Sequence, residues 1–171
     1  GVDYRKDERS YSDRETTDES TLWAKYQLSA FANWNMWIKG SYGQRDGSKY
    51  QASELTSDES NDLLRKYNLA DRNRTQIEAR VTHNPTDSLT LDFGARYALD
   101  DYNETQIGLT ESKDMSYDAS VSYLINDDMT VTAFYNRQNI DSDQAGSTNL
   151  GAPNWYGTVE DQFDIIGAGF S

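Results

Sequence analysis

The chain has 171 residues, a formal net charge of −13 and a mean hydropathy of −0.89. The acidic balance argues against a nucleic-acid partner, and the absence of cysteine excludes disulfides, cysteine-ligated metal clusters and covalently attached haem in this segment. No apolar run approaches the roughly 18 residues of a transmembrane helix. A transmembrane β-barrel is compatible with this composition, because only alternate residues of its strands face lipid.

Eight stretches of alternating apolar and polar residues follow one another along the chain. Successive side chains of a strand point to opposite faces, so this alternation predicts strands with one apolar and one polar face. The clearest example runs from Ser88 to Leu99, where every odd position is apolar. A bulge is expected near Ile165 and Ile166, where the apolar set changes face. In chain order, the predicted strands cover residues 2–9, 21–30, 35–45, 72–83, 88–99, 115–124, 129–139 and 157–171.

The connections between these strands alternate strictly between short turns and long polar loops. Outer-membrane barrels have this asymmetry, with tight periplasmic turns and long extracellular loops. The expected fold is therefore an all-β, antiparallel transmembrane β-barrel segment of about eight strands. Residues 48–62 are the candidate for external contacts. The predicted short turns are residues 31–34, 84–87 and 125–128, and the predicted long loops are residues 46–71, 100–114 and 140–156.

If the apolar positions face lipid, the polar positions between them line the interior of the barrel. Charges of both signs on this interior face predict a lumen laced with ion pairs, which suits a water-filled interior. The predicted lipid-facing residues are Leu89, Leu91, Phe93, Ala119, Val121 and Val131. The predicted lumen-facing residues are Arg74, Glu78, Arg80, Asp92, Arg96, Asp118 and Asn136.

Aromatic residues fall into two groups, one near the long loops and one near the tight turns. Amphipathic rings are enriched at the two headgroup levels of a membrane, so these groups are interpreted as aromatic belts. The competing explanation is that Tyr and Trp simply favour strands. The predicted belt residues are Phe31, Trp34, Tyr42, Tyr97, Tyr117, Tyr123 and Tyr135.

The hairpin around residues 84–87 allows two registers that keep like faces together. One of them sets Glu78 against Asp92, a like-charge contact that disfavours it. The other sets Arg80 opposite Asp92. We therefore predict the second register, which pairs opposite charges inside the barrel.

No catalytic constellation stands out in the sequence. The single histidine, His83, lies beside a tight turn, where an interfacial or hydrogen-bonding role is favoured over metal ligation. The acidic stretch at residues 100–104, with Asp141 and Asp143, offers oxygen ligands for Ca²⁺. Since these residues lack the spacing of a calcium loop, they are interpreted as solvated loops. The sequence predicts no enzyme, no catalytic residue, no metal site and no directly bound cofactor.

Longer runs of the sequence resemble the MtrB/PioB family of outer-membrane proteins. They include Arg-Lys-Tyr-Asn-Leu-Ala-Asp-Arg at residues 65–72, the strand and its continuation at residues 88–102, and Ile-Gly-Leu-Thr-Glu-Ser-Lys-Asp at residues 107–114. The likeness covers the chain from near Leu64 onward. Family barrels have many more strands than eight. The resemblance therefore implies that residues 1–171 are a fragment of one larger transmembrane β-barrel domain.

The resemblance also implies a function in the bacterial outer membrane. Family barrels sheath a multihaem c-type cytochrome and let electrons cross to extracellular acceptors. The implied partners are a periplasmic-side multihaem cytochrome inside the barrel, an extracellular multihaem cytochrome and outer-membrane lipid, and the partner cytochromes carry the haem. Two alternatives stay open on the residues alone: a general porin or channel for small solutes, and a soluble all-β binding or adhesin domain.

Overall fold

The structure of the chain is a computed structural model that describes residues 1–29, 31–51 and 61–171. In these residues, eight strands follow one another in a single antiparallel sheet. A ninth strand of two residues pairs in parallel with the first residues of one of them. The described residues contain no helix that is long and apolar enough to cross a membrane. The strands are β1 (Val2–Glu8), β2 (Thr16–Leu28), β3 (Trp34–Gly47), β4 (Leu64–Arg65), β5 (Arg72–Thr86), β6 (Leu89–Asp101), β7 (Ile107–Asn126), β8 (Met129–Gly146) and β9 (Trp155–Phe170).

The sheet is all-β and antiparallel in its main path, as the alternating pattern predicted. Each of the eight main strands pairs with the next one along the chain, which is the topology that tight hairpins and longer return loops produce. The sheet is open in the structure, with β1 and β9 at its two edges.

Several strands extend further toward the long-loop ends than predicted. β7 begins at Ile107 and β8 continues to Gly146, inside the long loops expected there. The apolar alternation ends earlier, near Met115 and Asn139, but the ladder of backbone hydrogen bonds continues because it does not need apolar side chains. The loop predicted for external contacts, residues 48–62, lies largely outside the described residues.

The hairpin between β5 and β6 has neither of the two registers predicted for it. Arg80 lies opposite Gly94, so the predicted register, with Arg80 directly opposite Asp92, is wrong. The cause is the turn, where a β-bulge interrupts the ladder between His83 and Thr86. The side chains of Arg80 and Asp92 still form an ion pair. Because the register slips by two residues, every side chain still lies on its predicted face.

The bulge predicted at Ile165 and Ile166 is absent. β8 and β9 pair along their shared length without a register shift. Ile165 lies opposite Asn136 and Ile166 opposite Tyr135, as successive residues of a regular strand do. The apolar residues of β9 are therefore divided between both faces without any backbone irregularity.

Cross-strand pairing divides the side chains into two faces. Away from the bulges, the polar face carries the odd-numbered residues of β1, β2, β3 and β9 and the even-numbered residues of β5 to β8. The apolar face carries the others. Neither face is covered by a second sheet in the described part of the chain.

The buried residues lie at the loop end of the polar face, either beneath or within a segment that we call the strap (residues 61–71). The strap contains β4, which pairs in parallel with the start of β7. Gly108 permits this pairing, because it has a φ of 121° and a Cβ atom there would lie 2.5 Å from the carbonyl oxygen of Arg65. The buried apolar side chains are Leu69, Ala70, Ala98, Tyr102, Ile107 and Ala145.

Candidate functional site

The structure brings together on the polar face all seven side chains that were predicted to line a lumen. They come from four neighbouring strands and form rows across the sheet. One row runs from β5 to β8 through Arg80, Gly94, Asp118 and Asn136. That this face borders the interior of a barrel stays a prediction. The seven residues are Arg74, Glu78, Arg80, Asp92, Arg96, Asp118 and Asn136.

Arg80 joins three strands of this face. Its Nη1 donates to Asp92 Oδ1 at 2.6 Å on β6, and its Nη2 donates to Asp118 Oδ2 at 2.8 Å on β7. Gly94 leaves room for the second contact, because a Cβ atom there would lie 2.8 Å from Cγ of Asp118. The side chains of Arg80 and Asp118 are 41% and 40% exposed. Because exposed ion pairs contribute little to the free energy of unfolding, the main effect of this network is to fix the positions of side chains on the polar face.

A second set of ion pairs lies at the loop end of the polar face. Arg74 donates from Nε and Nη2 to the two oxygens of Asp100, at 2.6 and 2.5 Å. Arg72 Nη2 donates to Glu19 Oε1 on β2 at 2.6 Å. Asp100 is only 7% exposed. Its interpretation as a solvated loop residue is therefore wrong, because β6 continues past it and its carboxylate is paired with arginine.

The six residues predicted to face lipid lie together on the apolar face. Three of them are exposed, Phe93 at 52%, Val121 at 39% and Val131 at 38%. The other three, Leu89, Leu91 and Ala119, are half-buried. A face of this kind in a soluble monomer marks a surface that something else covers. The apolar positions of β7 extend from residue 115 to residue 123, roughly 26 Å at about 3.3 Å per residue. With the tilt of a barrel strand, this length is of the order of the roughly 25 Å apolar band.

A charged or amide residue lies just beyond the apolar band on β2, β3 and each strand from β5 to β9. These residues lie on the apolar face toward the long-loop ends, where a lipid-facing surface would reach the headgroups. They are Asp18, Gln44, Asn73, Asp101, Lys113, Arg137 and Asp164.

Most of the predicted belt aromatics also lie on the apolar face. Phe31 differs, because it lies in the turn before β3, where it is 62% exposed. Trp34 stacks on His83 with ring centroids 3.9 Å apart, and His83 Nδ1 lies 3.1 Å from the carbonyl oxygen of Asn33. His83 therefore takes part in packing and hydrogen bonding at the turn. The belt residues on the apolar face are Trp34, Tyr42, Tyr97, Tyr117, Tyr123 and Tyr135.

Two Trp–Lys contacts on the polar face were not predicted. Lys25 Nζ lies 4.4 Å from the ring centre of Trp37, and Lys39 Nζ lies 5.4 Å from that of Trp23. The signal was present in the sequence, since β2 and β3 share a Trp-x-Lys spacing that puts both residues on one face. These cation–π contacts place two positive charges on the polar face.

The strap was not predicted either. Arg14 is 6% exposed and donates from Nε to the carbonyl oxygen of Ser48 at 2.7 Å and from Nη1 to that of Leu69 at 2.8 Å. Its Nη2 also lies 2.8 Å from Asp71 Oδ1. Arg45 donates from Nε to the carbonyl oxygen of Ala70 at 2.9 Å. These guanidinium groups hold the strap against the polar face.

The strap also forms an ion pair with the segment that precedes β2. Lys66 Nζ lies 2.6 Å from Asp13 Oδ2, and Tyr50 donates its hydroxyl to the same oxygen at 3.2 Å. The hydrogen bond to Asp13 raises the pKa of Lys66, and burial raises the pKa of Tyr50. The described residues hold no group of three or more His, Cys, Asp or Glu side chains arranged to bind a metal ion.

Comparison with known proteins agrees with the two-faced sheet. The sequence profile of MtrB/PioB, an outer-membrane β-barrel porin family, matches residues 1–171. The outer membrane protein MtrB of Shewanella baltica (strain OS185) is 66% identical to the chain over 171 residues. That alignment covers 100% of the chain and 25% of the relative, so the chain spans about a quarter of the relative's length. The resemblance inferred from the sequence is confirmed.

Proposed function

Because the chain belongs to the MtrB/PioB family of bacterial outer-membrane proteins, we propose that its sheet is part of the wall of one larger transmembrane β-barrel. This barrel houses and insulates a multihaem c-type cytochrome, so that electrons cross the outer membrane to extracellular acceptors. The family resemblance supports the cytochrome, and the structure of the sheet supports the wall.

The proposal rests on one observation: the open sheet has one apolar face and one polar, charged face. The apolar face, with Phe93 and Val121 exposed, is suited to acyl chains. The polar face, with Arg80 bound to Asp92 and Asp118, is suited to a hydrated partner. A closed wall of this kind keeps a redox conductor out of lipid while satisfying every backbone group of its strands.

A barrel that encloses a folded cytochrome needs more strands than the eight of this sheet. Eight strands close into a barrel whose interior is just filled by side chains, which leaves no room for a folded cytochrome. The edges at β1 and β9 would be unpaired in lipid, where open sheet edges are not tolerated. In the proposed barrel both edges continue into neighbouring strands.

The chain contributes the wall and no redox group. It has no cysteine, so covalent c-type haem belongs to the partners. One partner is a periplasmic-side multihaem cytochrome that occupies the lumen against the polar face. The other is an extracellular multihaem cytochrome at the long-loop end. The hairpin turns lie on the periplasmic side, as in other outer-membrane barrels.

A general porin for small solutes is the second candidate. It is favoured by the partial exposure of the polar-face ion pairs, since Arg80 and Asp118 are 41% and 40% exposed. Such pairs cost little in a water-filled pore. Both candidates share the same fold and the same assignment of faces.

The two candidates are separated by purifying the intact assembly from native membranes in mild detergent. We expect a c-type haem spectrum that elutes with this polypeptide at a constant ratio through size exclusion. Reconstituted in liposomes, the assembly should reduce an external acceptor from an internal electron donor and exclude small sugars. A colourless barrel that passes small sugars would contradict the sheath and favour the porin.

A further inference from the structure

A row of charged residues crosses the loop end of the polar face. The register sets Arg5 opposite Glu19. Arg45 lies between Glu19 on one side and Arg72 on the other. Three guanidinium groups therefore stand in one row with a single carboxylate, Glu19, which accepts a hydrogen bond from Arg72. Because like charges directly opposite each other destabilise a sheet, the placement of Arg45 opposite Arg72 favours a bound anion.

These side chains line a cavity of about 450 Å³. Strand residues of the polar face form its floor, and Tyr67 and Asn68 of the strap form part of its wall. A pocket of this size accommodates a small ligand together with ordered water. Its basic lining residues are Arg5, Arg9, Arg45, Arg72 and Arg74.

Three carboxylates line the same cavity and neutralise only part of this charge. Asp100 is bound by Arg74, and Glu19 accepts from Arg72 at 2.6 Å. The third, Asp7, is shared by the two arginines nearest the amino terminus. Five guanidinium groups against three carboxylates leave a surplus of two positive charges, in a chain whose net charge is −13.

Two of the guanidinium groups have donors that no carboxylate satisfies. Arg45 donates to the backbone carbonyl oxygens of Tyr67 and Ala70, at 2.6 and 2.9 Å. The Nε atom of Arg72 is buried without a hydrogen-bond acceptor in the described part of the chain, since Asp100 Oδ1 lies 3.7 Å away. Buried donors almost always have an acceptor, which here has to come from elsewhere.

We propose that this cavity binds a small tetrahedral oxyanion of the phosphate or sulfate class. The planar fork of a guanidinium group matches two oxygens of such an anion, and several forks meet here on one wall. The bound anion separates the charges of Arg45 and Arg72 and accepts from the free Nε atom. The site is independent of the proposed cytochrome sheath, because it lies within one sheet and its own strap.

The test is isothermal titration of the full-length barrel in detergent with inorganic phosphate, sulfate and chloride as separate probes. We expect one saturable site for phosphate or sulfate and none for chloride. Arg72→Gln should weaken binding roughly tenfold, the loss of about one charge-assisted hydrogen bond. Glu19→Gln should strengthen it, because Arg72 then loses its competing carboxylate.

The matched control is Arg80→Gln, which removes an arginine from the same strand and face outside the cavity. The affinity of Arg80→Gln for phosphate or sulfate should equal that of the unchanged protein. Glu19→Gln tests the proposal even where Arg72→Gln fails to fold, which heat-modified gel migration reveals. No saturable phosphate or sulfate binding, equal losses in Arg72→Gln and Arg80→Gln, or weaker binding in Glu19→Gln would each overturn the proposal.

Discussion

Arg80 on β5 reaches over β6 and binds Asp118 on β7, with Nη2 2.8 Å from Oδ2. The contact skips a strand, which is possible only because Gly94 has no side chain between them. The row that contains this pair runs on to Asn136 on β8. A single glycine thus lets one arginine order a wide part of the polar face.

Gly94→Ala should therefore behave differently from an alanine at an open glycine. A Cβ atom at Gly94 would lie 2.8 Å from Cγ of Asp118 and displace its carboxylate. A Cβ atom at Gly40 on β3 would meet nothing within 4 Å. We expect Gly94→Ala to be less stable than Gly40→Ala by roughly 1 kcal/mol, since exposed ion pairs contribute about 0.2–1 kcal/mol.

The measurement is the midpoint of urea unfolding of the full-length barrel in lipid vesicles. Gly40→Ala serves as the control, because alanine is favoured over glycine within a strand. Equal midpoints for the two variants would show that the Arg80–Asp118 contact does not depend on the missing side chain.

The assignment of faces predicts opposite results at adjacent residues of β7. Val121→Arg places a charge on the apolar face and should cost roughly 2–4 kcal/mol near the bilayer midplane. Ser120→Arg places the same charge on the polar face beside Asp92 and should be tolerated. Leu91→Arg, which lies opposite Val121, should behave like Val121→Arg.

Insertion is measured by heat-modifiable migration and by the amount of folded barrel in outer-membrane fractions. Each variant adds one arginine, so the three variants carry the same added charge and differ in its position. Equal insertion of Ser120→Arg and Val121→Arg would mean that the faces are assigned wrongly.

Arg14→Gln should release the strap. The change leaves Asp71 without its cation and the carbonyl oxygens of Ser48 and Leu69 without a donor. The expected cost is roughly 2–3 kcal/mol, below the usual value for a buried pair because the side chain of Asp71 is 32% exposed. Limited trypsin digestion should then cleave after Arg65 and Lys66 faster than in the unchanged protein.

The control is Arg96→Gln, which breaks a polar-face ion pair with Asp114 away from the strap. Its cleavage rate should stay at the original value. Faster cleavage in both variants would indicate general loosening of the sheet and would remove the special role of Arg14.

The Lys66–Asp13 contact predicts a pH dependence at the strap. The hydrogen bond to Asp13 raises the pKa of Lys66 above its ordinary value of 10.5. The contact therefore stabilises the strap below that value and is lost as the pH rises through the raised pKa. Protection of the strap from proteinase K should fall in this alkaline range, and Lys66→Met should flatten the change. An unaltered pH profile in Lys66→Met would contradict this assignment.

The faces of the sheet could be predicted from the sequence because side-chain direction in a strand has a period of two. Leu91 and Asp92 illustrate this, since each lies on the face that alternation predicted. The register of the same hairpin could not be predicted, because a slip of two residues leaves the faces unchanged. It depends on the bulge beside Thr86, which the alternating pattern does not reveal.

The strap could not be predicted for a different reason. Its anchors are side chains that donate to backbone carbonyl oxygens, as Arg14 does to Leu69 and Arg45 does to Ala70. A carbonyl oxygen is present at every residue, so such a contact leaves no residue-type pattern in the sequence. The same limit applies to the arginine cavity, because its charged residues lie on or directly after five strands and meet only in the observed register.

The most direct test of the cytochrome sheath is photo-crosslinking from the two faces of the full-length barrel in intact cells. A photoreactive residue replaces Ser116 on the polar face or Ala119 on the apolar face, both on β7. Covalent haem survives a denaturing gel, so a cytochrome adduct stains for haem. We predict a haem-staining adduct from position 116 and none from position 119. No adduct from position 116, or equal adducts from both positions, would contradict a cytochrome enclosed by this wall.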